Sequence, residues 1–172
     1  EREKHAKKAN EAEKQVSIIC FSGEWDRLFA ALTIACGALA MGRQVHIFFT
    51  FWGVAALRDT ERDGQESERD FSQNLFSKML PAGASEAHLS KMHFMGLGKA
   101  MLKRLMKKHN VDDIDVLLQE VKELGGHLHV CDTSSELFGL TCAELKDGEK
   151  MNRCGVATFL DYAFKSRMVL FI

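Results

Sequence analysis

The sequence predicts a three-layer α/β domain built on a mainly parallel sheet. Apolar runs of strand length alternate with amphipathic stretches of helix length along most of the chain. The first two predicted strands flank a single helix, and such a β-α-β unit holds its strands parallel. Helices that cover both faces of the sheet complete the three layers.

The composition is that of one globular domain. The chain has 172 residues, 46% of them hydrophobic, with 23 basic and 24 acidic side chains. A net charge of −1 gives no overall reason to expect nucleic acid as a partner. Arg43 and His46 interrupt the apolar stretch 28–57 after about 15 residues, fewer than a spanning helix needs, so we expect no membrane span.

The cysteines indicate reduced thiols. They are odd in number, show no C-x-x-C spacing and follow no signal-peptide pattern, so a cytoplasmic location is expected. The five are Cys20, Cys36, Cys131, Cys142 and Cys154.

The N-terminal third predicts a charged segment and then the β-α-β unit. Residues 1–14 are charged helix formers without an apolar stripe, typical of a solvated helix or loose arm. Residues 15–21 form a β-branched apolar run that predicts a buried strand, with Cys20 at its C-terminal end. Residues 24–41 predict a helix apolar on nearly all sides, which needs cover from the sheet and from a neighbouring subunit. Residues 44–51 predict the second strand.

Residues 58–95 differ from the rest of the chain and predict a long insert or a cover over the active site. They contain a charge run and the only proline, Pro81. His88 and His93 lie in this segment, but no carboxylate or thiolate ligands accompany them, so we expect no metal.

The next segment predicts two helices. Met101, Leu105 and their neighbours form an apolar stripe opposite a basic face around Lys103 and Lys107, typical of a surface helix or of a docking site for an acidic partner. A second helix begins after Asp112 or Asp113 and ends at two glycines. A strand at 127–131 follows.

The C-terminal part predicts a polar connection, a helix and a last strand. The connection, residues 139–154, contains Cys142 and Cys154. Residues 155–165 have one apolar helical face, and residues 168–172 are a continuous apolar run that predicts a buried final strand.

Cys131 is the best candidate for a nucleophile. Thr133 and Glu136 fit a capping box, so a helix is predicted to begin at Thr133, immediately after the strand that contains Cys131. Free N–H groups at a helix start lower the pKa of a nearby thiol, and the thiolate is the reactive form. The alternative is a small apolar residue that ends a buried strand.

Cys20 and Cys131 both end predicted strands, where parallel sheets collect their ligands. If the two strands were neighbours, the two sulfurs would flank one pocket. No G-x-G-x-x-G or P-loop pattern follows either strand, so no nucleotide cofactor is predicted. Thiol chemistry without a cofactor remains, in which a cysteine accepts, holds and passes on a group.

Four segments carry a resemblance to a known family: IICFSGEWDRLFAALTIACGALAMGRQVHIFFTFWG, MHFMGLGKAM, GGHLHVCDTSSELFGL and GVATFLDYAFKSRMVLFI. They resemble the DsrE family of the DsrE/DsrF/DsrH-like sulfur-relay proteins. The resemblance implies a single DsrE-like α/β domain over residues 15–172, assembled into a homo-oligomer. It also implies a cysteine that carries sulfane sulfur as a persulfide to or from partner proteins.

Carried over by position, the cysteine after the GGHLHV strand is Cys131 and the one after the first strand is Cys20. The resemblance therefore implies a sulfur carrier or sulfurtransferase-like protein, with Cys20 as a second thiol that relays the sulfur or as a core residue. Whether the protein is an enzyme stays open. The alternatives are a ligand-binding or regulatory module of the same fold, and peroxide reduction by Cys131, which is weaker because the stretch around it shows no clear arginine.

Overall fold

The structure is a computed structural model that describes residues 14–59, 73, 83, 87, 89–91, 97–146, 148 and 151–172. Its elements alternate between strands and helices, as predicted. In chain order they are β1 (Gln15–Cys20), α1 (Trp25–Ala40), β2 (Gln44–Phe49), α2 (Trp52–Ala55), α3 (Leu97–Lys108), α4 (Ile114–Glu123), β3 (His127–Cys131), α5 (Asp132–Phe138), a 3₁₀ helix (Cys142–Glu144), β4 (Asn152–Cys154), α6 (Val156–Ala163) and β5 (Met168–Phe171).

The sheet has five strands in the order β4-β3-β2-β1-β5, and every neighbouring pair is parallel. This confirms the α/β class and the parallel β-α-β unit. The first three connections move along the sheet in one direction, whereas the last returns past β1 to its other side. Since crossovers between parallel strands are right-handed, the reversal puts α6 on the opposite face of the sheet from α1.

Two buried clusters fill the two faces. The α1 face, named after its main helix, contains Ile18, Cys20, Ile47 and Val130 among many apolar side chains. Successive side chains of a strand point to opposite faces. The α6 face is smaller, and its buried apolar members are Phe48, Cys131, Cys154, Phe159 and Ala163.

Helix α1 needs a cover besides the sheet, and within the chain α4 provides it. The two helices pack together, and the Cys36 thiol lies 3.7 Å from the Leu117 carbonyl oxygen. Asp113 caps α4 by accepting a hydrogen bond from the Ile114 N–H at 2.8 Å, as predicted.

Helix α3 confirms the predicted amphipathic segment, but its basic face is partly occupied. The Lys103 ammonium lies 2.6 Å from the Asp113 carboxylate, and the Lys99 ammonium donates to the Ala87 carbonyl at 2.6 Å. Lys103, one of the cations named for partner docking, therefore has a partner within the chain, as does Lys99 on the same helix.

The final strand corrects a prediction. The run 168–172 was expected to be buried, but among the described strands β5 lies at the edge of the sheet and pairs with β1 alone. Met168, Val169 and Phe171 are 47%, 48% and 69% exposed, and Phe164 of the neighbouring α6 is 84% exposed. A continuous apolar run predicts burial only when both faces of the strand are covered. Here Leu170 packs partly against the core of the α1 face, whereas Val169 and Phe171, which point to the other face, stay largely exposed.

The charged N-terminal segment lies outside the described residues apart from Lys14, and so does most of the insert at 58–95, including Pro81, His88 and His93. Among the helices that are described, none combines the length and apolar character needed to cross a membrane.

Candidate functional site

Cys131 is the last residue of β3 and the N-cap of α5. The helix therefore begins at Asp132, one residue earlier than predicted. Thr133 and Glu136 do not form the predicted capping box at the start of α5, because Cys131 is the N-cap residue. A capping box is present further along the chain, between Thr141 and Glu144 at the 3₁₀ helix. The shift brings the thiol closer to the helix start than the sequence indicated.

The surroundings of Cys131 favour its thiolate. Burial opposes the charge and by itself raises the pKa of the thiol, but hydrogen-bonding interactions with the Ser134 hydroxyl and N–H, the Thr50 hydroxyl and the Thr133 N–H outweigh it and lower the pKa of Cys131 below the ordinary value of 9.0. The donors come from two elements, α5 and the end of β2. A buried thiol with a lowered pKa is suited to nucleophilic attack.

Ser134 holds these donors together. Its hydroxyl oxygen accepts a hydrogen bond from the Phe51 N–H at 2.9 Å and lies 3.1 Å from the Thr50 hydroxyl oxygen. Because its oxygen is already an acceptor, its own proton is available to the sulfur or to Thr50. Phe51 adopts a φ of 50° and a ψ of −121°, rare for a residue with a side chain. The contact with Ser134 therefore fixes a strained turn beside the thiol.

The structure does not bring Cys20 and Cys131 together. Strand β2 lies between β1 and β3, and the two thiols belong to clusters on opposite faces of the sheet. Cys20 is 1% exposed, and its burial raises the pKa of the thiol to about 12. A pocket flanked by both sulfurs would require the two strands to be neighbours, and β1 and β3 are not.

Cys154 is the thiol that the structure does place beside Cys131. The polar connection ends in the short strand β4, and the register pairs Cys154 directly with Cys131. The sequence analysis missed this strand because Asn152-Arg153-Cys154 has no apolar run. One signal was present: Cys154 stands two residues before α6, whose N-cap is Gly155, and Cys131 stands directly before α5.

A cluster of histidines lies next to Cys154 on the α6 face. His46 Nδ1 and His129 Nε2 are 3.0 Å apart, and His129 Nδ1 is 4.0 Å from the Cys154 sulfur. His127 and Tyr162 stack on His46. Burial, and then the neighbouring histidines, lower the pKa of both His46 and His129 to about 4, so both rings are neutral near pH 7.

An arginine borders the site, although the stretch around Cys131 contains none. The Arg153 guanidinium lies 2.9 Å from the Asp132 carboxylate, and it also interacts with the Cys142 thiol. Arg153 comes close to Asp132 because β4, which contains Arg153, pairs with β3, which ends immediately before Asp132. Because Arg153 is paired with the carboxylate of Asp132, its main role in this arrangement is that of a counter-ion to Asp132.

A separate cavity of about 410 Å³ lies at the ends of β1 and β2. Its lining includes Phe21, Gly23, Trp52 and the ion pair of Glu24 with Arg27 at 2.7 Å. The part of the chain that the structure describes contains no group of three or more His, Cys, Asp or Glu side chains placed to hold a metal.

Comparisons with known proteins agree with this architecture. A model of the DsrE/DsrF/DrsH-like family matches residues 12–171. The uncharacterized protein YrkE of Bacillus subtilis is 41% identical over 162 residues, which are 94% of this chain and 99% of YrkE. The sulfur carrier protein DsrE2 of Allochromatium vinosum is 27% identical over 164 residues, 93% of this chain and 99% of that protein.

The solved structures show the same fold. The crystal structure of the ychN protein from Escherichia coli superposes with a TM-score of 0.53 at 14% sequence identity, covering 93% of this chain and 99% of that one. Together with the family model, which spans nearly all the residues of the sheet and its helices, this leads to one conclusion. The chain belongs to the DsrE/DsrF/DrsH-like family.

Proposed function

We propose that the protein is a sulfur carrier in which Cys131 holds sulfane sulfur as a persulfide and passes it to a partner protein. The observation that carries the proposal is the environment of the Cys131 thiol, where the Ser134 and Thr50 hydroxyls favour the anion at the end of a central strand. Family membership and the similarity to a sulfur carrier protein support a role in sulfur relay in general.

The chemistry needs only a thiolate and an anion site. The Cys131 thiolate attacks the sulfane sulfur of a donor, the donor's own sulfur leaves with the bonding electron pair as a thiolate, and Cys131 gains a terminal sulfur as its persulfide anion. An acceptor thiolate then attacks that terminal sulfur and releases the Cys131 thiolate. Each step exchanges one sulfur–sulfur bond, so no further oxidant or reductant enters.

The same donors serve the loaded state. A persulfide is carried as an anion, and hydrogen bonds to charged acceptors are stronger than those to neutral ones. Ser134 and Thr50 therefore stabilise both the attacking thiolate and the charged product. Among the described residues no comparable donor lies against the Cys20 thiol in its apolar cluster, so the proposal assigns the sulfur to Cys131 and a packing role to Cys20.

The test is to incubate reduced protein with inorganic polysulfide and locate added sulfur by intact-mass and peptide mass spectrometry. We expect one sulfur on Cys131, removable by a thiol, and no loading in Cys131→Ser. Ser134→Ala loads at least about tenfold more slowly at neutral pH, since a hydrogen bond to a charged group contributes about 1.5–3 kcal/mol.

Cys36→Ser is the matched control, because this thiol lies on α1, away from Cys131, and interacts with α4. It is expected to load like the wild type. Unchanged loading of Cys131→Ser, in a variant that retains its folded circular dichroism spectrum, would show the proposal to be wrong.

The second candidate function is a small-ligand or regulatory module without turnover, and the cavity beside Trp52 favours it. An aromatic wall next to the Glu24 and Arg27 charges is suited to a flat molecule with a polar group. Native mass spectrometry of the protein as purified distinguishes the two functions. A retained metabolite together with unreactive cysteines supports the module.

Assembly into a homo-oligomer and partnership with sulfur-donor or sulfur-acceptor proteins stay predictions. The exposed apolar side chains of β5 and α6 support the first, because Phe164, Val169 and Phe171 form an apolar surface on one edge of the sheet. Such a surface is suited to pairing with a second copy of the chain.

A further inference from the structure

Cys131 and Cys154 form a thiol pair across two strands. They are directly paired in the parallel register of β3 and β4, so their side chains share a face, and both belong to the same buried cluster. Neighbouring strands lie about 4.8 Å apart, inside the span of about 4.4–6.8 Å between the Cα atoms of disulfide-bonded cysteines. A bond between these sulfurs needs little backbone movement.

Cys154 also has a partner that can take its proton. His129 Nδ1 lies 4.0 Å from the Cys154 sulfur, and His129 Nε2 lies 3.0 Å from His46 Nδ1. If His129 donates its Nε2 proton to His46, its Nδ1 lone pair faces the thiol. The rings of Phe159 and Tyr162 pack against His129 and help to keep water from this contact.

The three side chains have the arrangement of a nucleophile with its base: a thiol, an imidazole within reach of it, and a third group that orients the imidazole. Burial, and then the charges of Asp132 and Cys131, raise the pKa of the Cys154 thiol, so the thiol is protonated at rest and needs a base when it attacks. The sulfur to nitrogen distance is at the long end of a hydrogen bond, as is common before a substrate is bound. Cys131, by contrast, is activated by hydroxyl and backbone donors. The two thiols therefore have different supporting groups and different tasks.

We propose that Cys154 is a resolving thiol, which attacks the inner sulfur of a Cys131 persulfide with His129 as proton acceptor and His46 as positioning residue, and so releases hydrosulfide. The inference rests on the proposed function, because it begins from a persulfide on Cys131. It adds a second outcome for the loaded sulfur, discharge as sulfide, beside transfer to a partner protein.

The step balances without a further reagent. The Cys154 thiol gives its proton to His129, its sulfur forms a bond to the Cys131 sulfur, and the bond to the terminal sulfur breaks. That sulfur leaves the persulfide anion with the electron pair and takes up one proton, matching the one that Cys154 released, to become hydrosulfide. The terminal sulfur is reduced and the two thiols are oxidised to a disulfide. A small dithiol or a dithiol protein then reduces the disulfide and restores the starting state.

The strand order suits an in-line attack. Cys131 is on β3, Cys154 approaches from β4 on one side, and Thr50 follows β2 on the other side. The leaving sulfur therefore departs towards the Thr50 and Ser134 hydroxyls, which favour an anion. Attack by one thiol and support for the leaving anion come from opposite neighbours of the same strand.

The experiment loads reduced protein with inorganic polysulfide under anaerobic conditions, removes the excess, and follows sulfide release and peptide masses over time. The wild type is expected to release sulfide and to yield a Cys131 to Cys154 disulfide peptide that a dithiol reduces. Cys154→Ser is expected to retain the Cys131 persulfide and to yield no such peptide.

His129→Gln separates the proton acceptor from packing. Its loading at Cys131 is expected to stay unchanged while sulfide release slows by about 10²-fold, the lower range of a general base contribution. The wild-type release rate is expected to depend on pH, and this dependence is expected to change in His129→Gln. Cys36→Ser is the control thiol variant and is expected to match the wild type.

Equal loss of sulfur in the wild type and Cys154→Ser, or the sulfur found on Cys154 without a disulfide, would overturn the inference while leaving the carrier function intact. No sulfur on Cys131 in either protein would overturn the carrier function as well. Diamide, which oxidises neighbouring thiols without sulfur loading, tests the pair independently: failure to link Cys131 to Cys154 would contradict the geometry on which the inference depends.

Discussion

Each face of the sheet has a cysteine at the end of a strand, and the two faces shift the pKa of their cysteine in opposite directions. On the α1 face, Cys20 is packed among apolar side chains, and burial raises the pKa of its thiol to about 12. On the α6 face, Cys131 meets hydroxyl and N–H donors that lower the pKa of its thiol. Both cysteines are the last residue of their strand, so the face on which the side chain lies determines the reactivity of the thiol.

The polar groups inside the α6 face are a feature of the whole face. The Ser17 and Ser166 hydroxyl oxygens are 2.8 Å apart, and the Gln15 side chain donates to the Tyr162 carbonyl at 2.8 Å. The His46 and His129 pair continues this pattern towards Cys154. The α1 face of the sheet therefore has an apolar core, whereas the α6 face of the same strands contains hydrogen-bonded polar side chains close to the thiols.

The largest expected difference between the faces is the reactivity of their thiols. With a pKa of about 12 for Cys20 and a value below 9.0 for Cys131, the thiolate fraction at neutral pH is larger for Cys131 by about 10³-fold or more. Iodoacetamide labelling of the native protein, followed by peptide mass spectrometry, is expected to show alkylation of Cys131 at least about tenfold faster, because the lower nucleophilicity of a low-pKa thiolate offsets part of the difference in thiolate fraction. Comparable alkylation rates for Cys20 and Cys131 would contradict the difference in thiol reactivity between the two faces.

The α1 face is expected to depend on close backbone packing at Gly53. A Cβ at this position would lie 2.2 Å from the Cys20 carbonyl oxygen, so Gly53→Ala is expected to lower the free energy of unfolding by about 3 kcal/mol. Urea denaturation measures the change.

Gly37→Ala is the matched control for Gly53→Ala. It adds the same methyl group to α1, where nothing lies within 4 Å of the new Cβ. Replacement of a helical glycine by alanine is expected to raise the free energy of unfolding by about 0.5–1 kcal/mol. An equal effect of the two substitutions would show that the close contact at Cys20 is not what matters.

A loss of stability in mild acid is also expected, and the α6 face contributes it. His46 and His129 have folded pKa values of about 4, below the unfolded value of 6.5, so the unfolded chain binds more protons between these limits. The free energy of unfolding is therefore expected to fall as the pH drops from about 6.5 to about 4. Urea midpoints at pH 7 and pH 5 measure this decline.

His46→Gln is expected to show a smaller decline, because one of the two neutral rings is removed from the cluster and His129 keeps its own. His109→Gln, at an exposed position after α3, is the control and is expected to decline like the wild type. The same decline in all three proteins would exclude the buried histidines as its cause.

Much of the fold was predictable from the sequence because its signals are local. The β-branched run before Cys20, the helix after it and the strand before Cys131 are each defined by periodicity over a few residues, and each was confirmed. The start of α5 was misplaced by one residue because a capping box pattern at Thr133 competes with the cap that Cys131 provides. Strand β5 was predicted with the correct type but the wrong burial.

The sequence by itself determined the α/β class, the parallel β-α-β unit and Cys131 as the nucleophile candidate at a strand end. Only the tertiary structure decided which second thiol lies beside it. Strand order and pleat separate Cys20 from Cys131, whereas the short polar strand β4 brings Cys154 next to it from 23 residues further along the chain. The physical reason is that pairing in a sheet depends on contacts between distant segments, and a strand of three polar residues becomes a strand only when a neighbour is there to pair with it.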